Sequence, residues 1–287
     1  MAAGLEELYR WLPWPMRPGN PEAERRFEAY RRLFSGLIEG HPSFGWLRGR
    51  RSVSVLDVAA GTGIAGAAMA SALEGAGFDV WLVAVDCRAG DLRFLPAWLG
   101  RAGSRAVYDV VAGDALLLPR LLRGGFDVVL LMGSSFPHFN PWQAARIIAG
   151  IHRLQPRHGV FLAEQWDIAG SVILRNAYRH ILLEGGQVDE EGGGLISLHT
   201  GYDKYRGVFR KAHYRIPGWR YIGSMETHLW YLSCLAVLLW LYYGEVDAAE
   251  PAGARYARTV LIAWRPRARA TPYSELREPM LLRRGSG

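Results

Sequence analysis

Cysteine and lysine are the scarce residues of this 287-residue chain, and each scarcity narrows what it can be. The two cysteines, Cys87 and Cys234, stand apart from any histidine or acid at metal-ligand spacing, so neither a disulfide framework nor a zinc site is supported, and no metal is expected. Lys204 and Lys211 are the only lysines; the other 32 of the 34 basic residues are arginine. With 27 acids the formal charge is +7, but the arginines are scattered in ones and twos, densest at Arg48 to Arg51 and Arg265 to Arg269. A dedicated nucleic-acid binder concentrates its positive charge, so nucleic acid is a secondary candidate as partner. Long apolar runs are also missing. The longest, Leu229 to Tyr243, spans about 22 Å as a helix against the roughly 30 Å of a bilayer core, and reads as a buried helix with no membrane span. The N-terminus, with Glu6, Glu7 and several prolines, lacks a charged-then-apolar secretory pattern, which makes the cytoplasm the expected location.

Half of the residues are hydrophobic, enough for a large core. Residues 1–47 read as an N-terminal helical cap broken by prolines, with Pro21 starting a helix whose Phe27, Tyr30, Leu33, Phe34, Leu37 and Ile38 form one buried face. From residue 48 to 167 strands and helices alternate: strands at Val53–Val58, Val80–Val85, Val107–Ala112, Phe126–Met132 and Val160–Glu164, helices at Ile64–Leu73, Leu92–Leu99 and Pro141–Leu154. Strands apolar throughout and separated by helices predict a parallel, doubly wound α/β sheet covered on both faces. Residues 168–225 read as an insertion, with a helix at Ser171–Glu184, a Gly-rich acidic loop and antiparallel strands from Leu195 to Ile216. A final helix and the strand Thr259–Trp264 return to the core within residues 226–265, leaving 266–287 as an exposed tail.

The stretch VLDVAAGTGIAGAAMA, residues 55–70, joins the first strand to the first helix of that domain through Gly61, Gly63 and Gly66. Such a turn lets a ligand approach the backbone, and the helix N-terminus favours a phosphate or a carboxylate. The spacing also satisfies the dinucleotide pattern G-x-G-x-x-G, with Asp86 twenty residues beyond Gly66. Asp57 tips the balance. An acid before the glycines is costly beside a pyrophosphate and suits a ligand that carries an ammonium group.

In VLDVAAGTG, AVDCR, AGDALLLP, FDVVLLMGSSFPHF and LQPRHGVFLAEQWD the chain resembles, in order over residues 53–167, five motifs of the class I S-adenosylmethionine-dependent methyltransferases. Ala59 stands where that family usually has its first glycine. The resemblance implies a Rossmann-like, mostly parallel seven-stranded sheet and S-adenosyl-L-methionine as cofactor, with S-adenosyl-L-homocysteine as product. It implies that Asp57, Ala59, Gly61 and Gly63 face the methionine part and that Asp86 accepts both ribose hydroxyls. By the same resemblance Cys87 packs beside the adenine, Asp114 and Ala115 read its amino group, and Met132 and Ser134 floor the sulfonium.

Methyl transfer needs an unprotonated nucleophile in line with the S–CH3 bond, and positioning alone can contribute roughly 7–11 kcal/mol. The G-x-S-x-G pattern of hydrolases is absent around Ser134 and Ser135. GSSFPHF carries neither the Asn-Pro-Pro-aromatic run of base-amino methyltransferases nor a Pro-Cys nucleophile. It resembles instead a run in glycine N-methyltransferase and related small-molecule enzymes, as does EQWDIAGSVI. The expected activity is methyl transfer to N or O of a small molecule, the insertion covering the substrate. His138 is the candidate to contact substrate or take its proton, or else to cap the helix at Pro141. Gln165, Trp166, Arg175, Tyr178, Tyr202, Tyr205 and His228 are candidate substrate residues. Two other readings stand beside it: an RNA or tRNA methyltransferase, whose arginines and aromatics would grip phosphate and stack bases, and a non-catalytic S-adenosylmethionine-binding protein.

Overall fold

A computed structural model describes residues 16–166, 181–184, 193–203, 207–250 and 258–277. The first described helix, α1 (Pro21–Gly40), starts where Asn20 accepts hydrogen bonds from the N–H groups of Glu22 and Ala23, with Pro21 in the first turn. Its buried face is Ala23, Phe27, Tyr30, Phe34 and Leu37. Strand β1 (Ser52–Val58) leads into helix α2 (Ile64–Gly75), strand β2 (Asp79–Asp86), helix α3 (Leu95–Ala102) and strand β3 (Val107–Ala112). Strand β4 (Val128–Leu131), helix α4 (Pro141–Leu154) and strand β5 (Val160–Trp166) follow. The sequence predicts one helix over Leu92–Leu99; the chain instead makes a single turn at Ala89–Leu92 and restarts at Leu95, because Pro96 fits only a first turn.

After β5 come β6 (Ile181–Glu184), β7 (Gly194–Asp203), β8 (Val208–Ile216) and β9 (Arg220–His228), then helix α5 (Leu232–Tyr242) and strands β10 (Tyr243–Ala249) and β11 (Arg258–Pro266). The main sheet has seven strands in the order β10-β11-β5-β4-β1-β2-β3, parallel except where β11 pairs antiparallel with β5 and β10. The order 3-2-1-4-5 is that of a doubly wound fold, which binds ligands beyond the carboxyl ends of the strands where the winding reverses, here between β1 and β4. Helices α1, α2 and α3 share one core cluster with the sheet, and α4 and α5 share the other.

The second sheet, β6-β7-β8-β9, is antiparallel. Three expectations are corrected here. Ile181–Glu184 ends no helix but pairs with Leu195–Leu198; residues 171–180 lie outside the described residues. The small sheet does not stop at 225, since β9 runs on to His228. Beyond β11 the chain is anchored rather than wholly exposed, for Tyr273 is buried and its hydroxyl donates to the carbonyl of Leu116 at 2.5 Å. Strand β10, unforeseen, follows α5 without a break. No helix among the described residues is long and apolar enough to cross a membrane.

Candidate active site

The turn after β1 is built from left-handed backbone: Ala59 has φ 54°, Gly61 56° and Gly63 84°. A Cβ on Gly63 would lie 2.6 Å from Leu95 Cδ1, and one on Gly66 2.9 Å from Asp57 Oδ2, so both glycines are required by close approach. Asp57 is buried, and its Oδ2 accepts a hydrogen bond from the Gly66 N–H at 2.9 Å. Burial is the main cause that pushes its carboxyl up to about 7; the Gly66 bond opposes the shift and Asp86 adds to it. A buried acid whose hydrogen-bond donor is one backbone N–H suits a cationic ligand.

Asp86, at the end of β2, clamps the same turn. Its Oδ2 accepts from Gly61 N at 2.7 Å and its Oδ1 from Arg88 N at 2.8 Å. The Arg88 guanidinium lies 3.4 Å from Asp86 and 2.6 Å from Asp91. At the end of β4, Gly133 and Ser134 both take positive φ, and the Ser134 Oγ is buried without a hydrogen-bond partner among the described residues. Such strain persists where the surroundings over-determine the backbone, and it clusters at ligand sites.

Glu164 of β5, fully buried, ties floor to roof. Its Oε2 accepts from the Gly133 N–H at 2.7 Å and from the Tyr30 hydroxyl of α1 at 2.5 Å, and Arg258 of β11 lies 3.7 Å from its Oε1. Burial first, then the Glu164 charge, holds the Tyr30 hydroxyl well above its ordinary range, so it remains a donor. Burial also lowers Arg26 in the next turn of α1, Tyr30 and Glu164 opposing and Arg258 adding to the shift. Arg26 and Tyr30 wall a cleft whose other sides are Asp57, Ala59 and Gly61 of the turn, Arg88, and Met132, Gly133 and Ser135.

Of the sequence's cofactor candidates, Asp57, Ala59, Gly61 and Met132 thus line one cleft, with Asp86 bonded to its wall and Gly63 capping α2. Cys87 is exposed. Asp114 accepts from the Leu116 N–H at 2.9 Å, capping the turn that begins at Ala115. His138 does not cap α4; Asn140 does, with Gln143 returning the bond. Burial first, then Arg88, pushes the His138 imidazole down to about 4, so it is neutral at physiological pH. Gln165 is buried, its Nε2 donating to the Trp166 carbonyl, and its Oε1 has no hydrogen-bond partner among the described residues. The Trp166 ring lies under Arg258. Tyr202 is exposed and packs on Phe209 in the small sheet. His228 donates its Nδ1–H to the Gly207 carbonyl and meets the Trp230 ring edge-on. Arg175, Tyr178 and Tyr205 lie outside the described residues. Sequence reasoning missed Arg26, Arg88, Glu164 and Arg258 as parts of this site, and read Tyr30 as core alone.

Residues 55–159 match the family described as a methyltransferase domain. No curated protein gives a significant match. Among solved structures, a protein of Pyrococcus horikoshii OT3 is similar at 18% identity and a TM-score of 0.56, over 91% of this chain and 99% of that one. An S-adenosylmethionine-dependent methyltransferase of Clostridium acetobutylicum ATCC 824 is similar at 12% identity and 0.55, over 83% and 92%. The N-methyltransferase NodS of Bradyrhizobium japonicum WM9, solved with S-adenosyl-L-homocysteine, is similar at 11% identity and 0.51, over 92% and 97%. Residues 55–159 thus match a methyltransferase domain, on a sheet whose strand order is that of a doubly wound fold and around a glycine turn that carries a buried acid.

Proposed function

We propose that the protein transfers a methyl group from S-adenosyl-L-methionine to nitrogen or oxygen of a small molecule. The cleft carries this reading, because its lining brings a buried acid, Asp57, and a partly buried cation, Arg26, to the glycine turn, the complement of an amino-acid zwitterion. Asp57 would take the ammonium and Arg26 the carboxylate of the methionine part, with Asp86 on the ribose hydroxyls. The cofactor supplies an electrophilic methyl on a sulfonium. This chain's residues orient and dry the site: Tyr30, held by Glu164, closes one wall, and Met132 and Ser134 close the floor. His138, kept neutral, serves as a hydrogen-bonding contact to the acceptor rather than as the base for an ammonium. The small sheet, whose β9 packs against the Phe136–His138 turn, covers the acceptor side. The likeness to an N-methyltransferase supports nitrogen as an acceptor atom.

Incubation with methyl-labelled cofactor and panels of small amines, alcohols and RNA tests the reading. Label is expected in a small amine or hydroxyl compound. Label confined to RNA, or a thermal shift with NAD and none with the cofactor or its demethylated product, would overturn it.

The raised pKa of Asp57 gives a second test. An ammonium ligand requires the carboxylate, so below pH about 7 binding must expel a proton. Cofactor affinity is therefore expected to climb by up to about tenfold per pH unit from pH 5 to 7 and to level off above it. Asp57→Asn should flatten that profile in calorimetry. In the free chain the sign is opposite: the neutral carboxyl contributes stability fully below about pH 4, and this is lost as pH rises through about 7.

A further inference from the structure

The guanidinium of Arg88 stands on the ground that the glycine turn leaves open. A Cβ on Gly61 would lie 3.2 Å from Arg88 Nη2 and 3.7 Å from the Met16 sulfur, so those two side chains cover the bare face of the turn. Arg88 is buried and precedes the single turn Ala89–Leu92, with its Nε 3.4 Å from Asp86 Oδ1 and its Nη1 2.6 Å from Asp91 Oδ2. The two acids differ. Asp86 is buried, whereas the Asp91 side chain is 23% exposed and so lies nearer to solvent. Both charges of the Arg88–Asp86 pair reach the His138 ring as well: burial lowers the imidazole first and Arg88 next, with Asp86 opposing.

We propose that Arg88 is a latch on the cofactor cleft: its guanidinium and a ribose compete for Asp86, and binding moves the guanidinium onto Asp91 alone. This rests on the assignment of Asp86 to the ribose hydroxyls. Asp86 already accepts from the backbone N–H groups of Gly61 and Arg88, at 2.7 and 2.8 Å, and a carboxylate offers about four lone-pair sites. About two remain, which is what a pair of hydroxyls needs and what the guanidinium crowds. The same group overlies Gly61, where the missing side chain otherwise lets a ligand come against the backbone. The exchange leaves no charge bare. Guanidinium and hydroxyls are both donors, so Asp86 keeps its bonds whichever of them is present. Asp91 keeps the released arginine paired, so no cation is stranded beside the cleft.

Calorimetric titration of the full chain with S-adenosyl-L-homocysteine and with S-adenosyl-L-methionine tests this. Arg88→Ala is expected to tighten both by the same factor, about tenfold, while its backbone N–H still holds Asp86. Should that variant unfold, Arg88→Met, which keeps an unbranched apolar stem, carries the same expectation. Asp91→Asn weakens the released position and should loosen both ligands about threefold to fivefold. The double variant should match Arg88→Ala, because Asp91 acts only through the arginine. An Arg88 variant that binds S-adenosyl-L-homocysteine no more tightly than the wild type overturns the latch. A gain for S-adenosyl-L-methionine alone also overturns it, and makes Arg88 a like charge to the sulfonium instead. A wild type that binds neither compound overturns the cofactor reading itself, so the two failures are told apart.

Discussion

Replacing Glu164 with alanine is expected to lower the unfolding free energy by about 3–5 kcal/mol, as breaking a buried ion pair from one side does. The carboxylate is fully buried and joins β5 to the Gly133 N–H, the Tyr30 hydroxyl and Arg258, and its charge also faces Arg26. Removing it leaves a buried hydroxyl and a backbone N–H without this acceptor, takes one negative charge away from Arg26 and Arg258, and opens a small void. Denaturant unfolding monitored by circular dichroism measures the loss, and a drop in melting temperature of roughly 6–10 °C should accompany it. Glu164→Gln keeps a neutral acceptor for Tyr30 and Gly133 and should lose about half as much. A loss below about 1 kcal/mol for the alanine variant would show that the roof is held elsewhere.

Asp86→Ala is expected to reduce cofactor affinity by at least about a hundredfold, about 2.7 kcal/mol, the scale of charge-assisted hydrogen bonds to two ribose hydroxyls. The same carboxylate holds the Gly61 and Arg88 N–H groups, so part of the loss comes from a slackened turn. Asp86→Asn separates the contributions: it keeps one acceptor for the turn but cannot accept from two hydroxyls at once. Isothermal calorimetry with S-adenosyl-L-homocysteine is the readout. An unchanged affinity for the alanine variant would remove Asp86 from the ribose.

The legible parts of the molecule are those where signal and structure are local. Asp57, Gly63 and Gly66 lie within ten residues, and the hydrogen bond from Gly66 to Asp57 spans nine positions. The apolar strands β1, β2, β4 and β5 announce a covered parallel sheet because each is buried on both faces. Glu164 and Tyr30 had no such advantage: their bond joins positions 134 apart, and a lone acid in an apolar strand resembles a strand end. Arg258 and Arg26 were hidden for the same reason. Periodicity misled at α5, which buries only Leu235, Leu239 and Tyr242: a helix apolar all round shows no stripe and so reads as buried. It misled again at Ile181–Glu184, where four residues are too few to separate helix from strand.

The fastening of Tyr30 to Glu164 also bears on how a ligand comes and goes. Lifting α1 off the cleft would break a buried hydrogen bond to a carboxylate, whereas the chain just before α1 is held more lightly, the Met16 carbonyl accepting from Thr62 at 2.6 Å and from the Trp98 indole at 3.3 Å. Moving the Met16 end of that wall would therefore cost two hydrogen bonds between neutral groups, whereas moving α1 at Tyr30 would cost one to a buried carboxylate, which loses more.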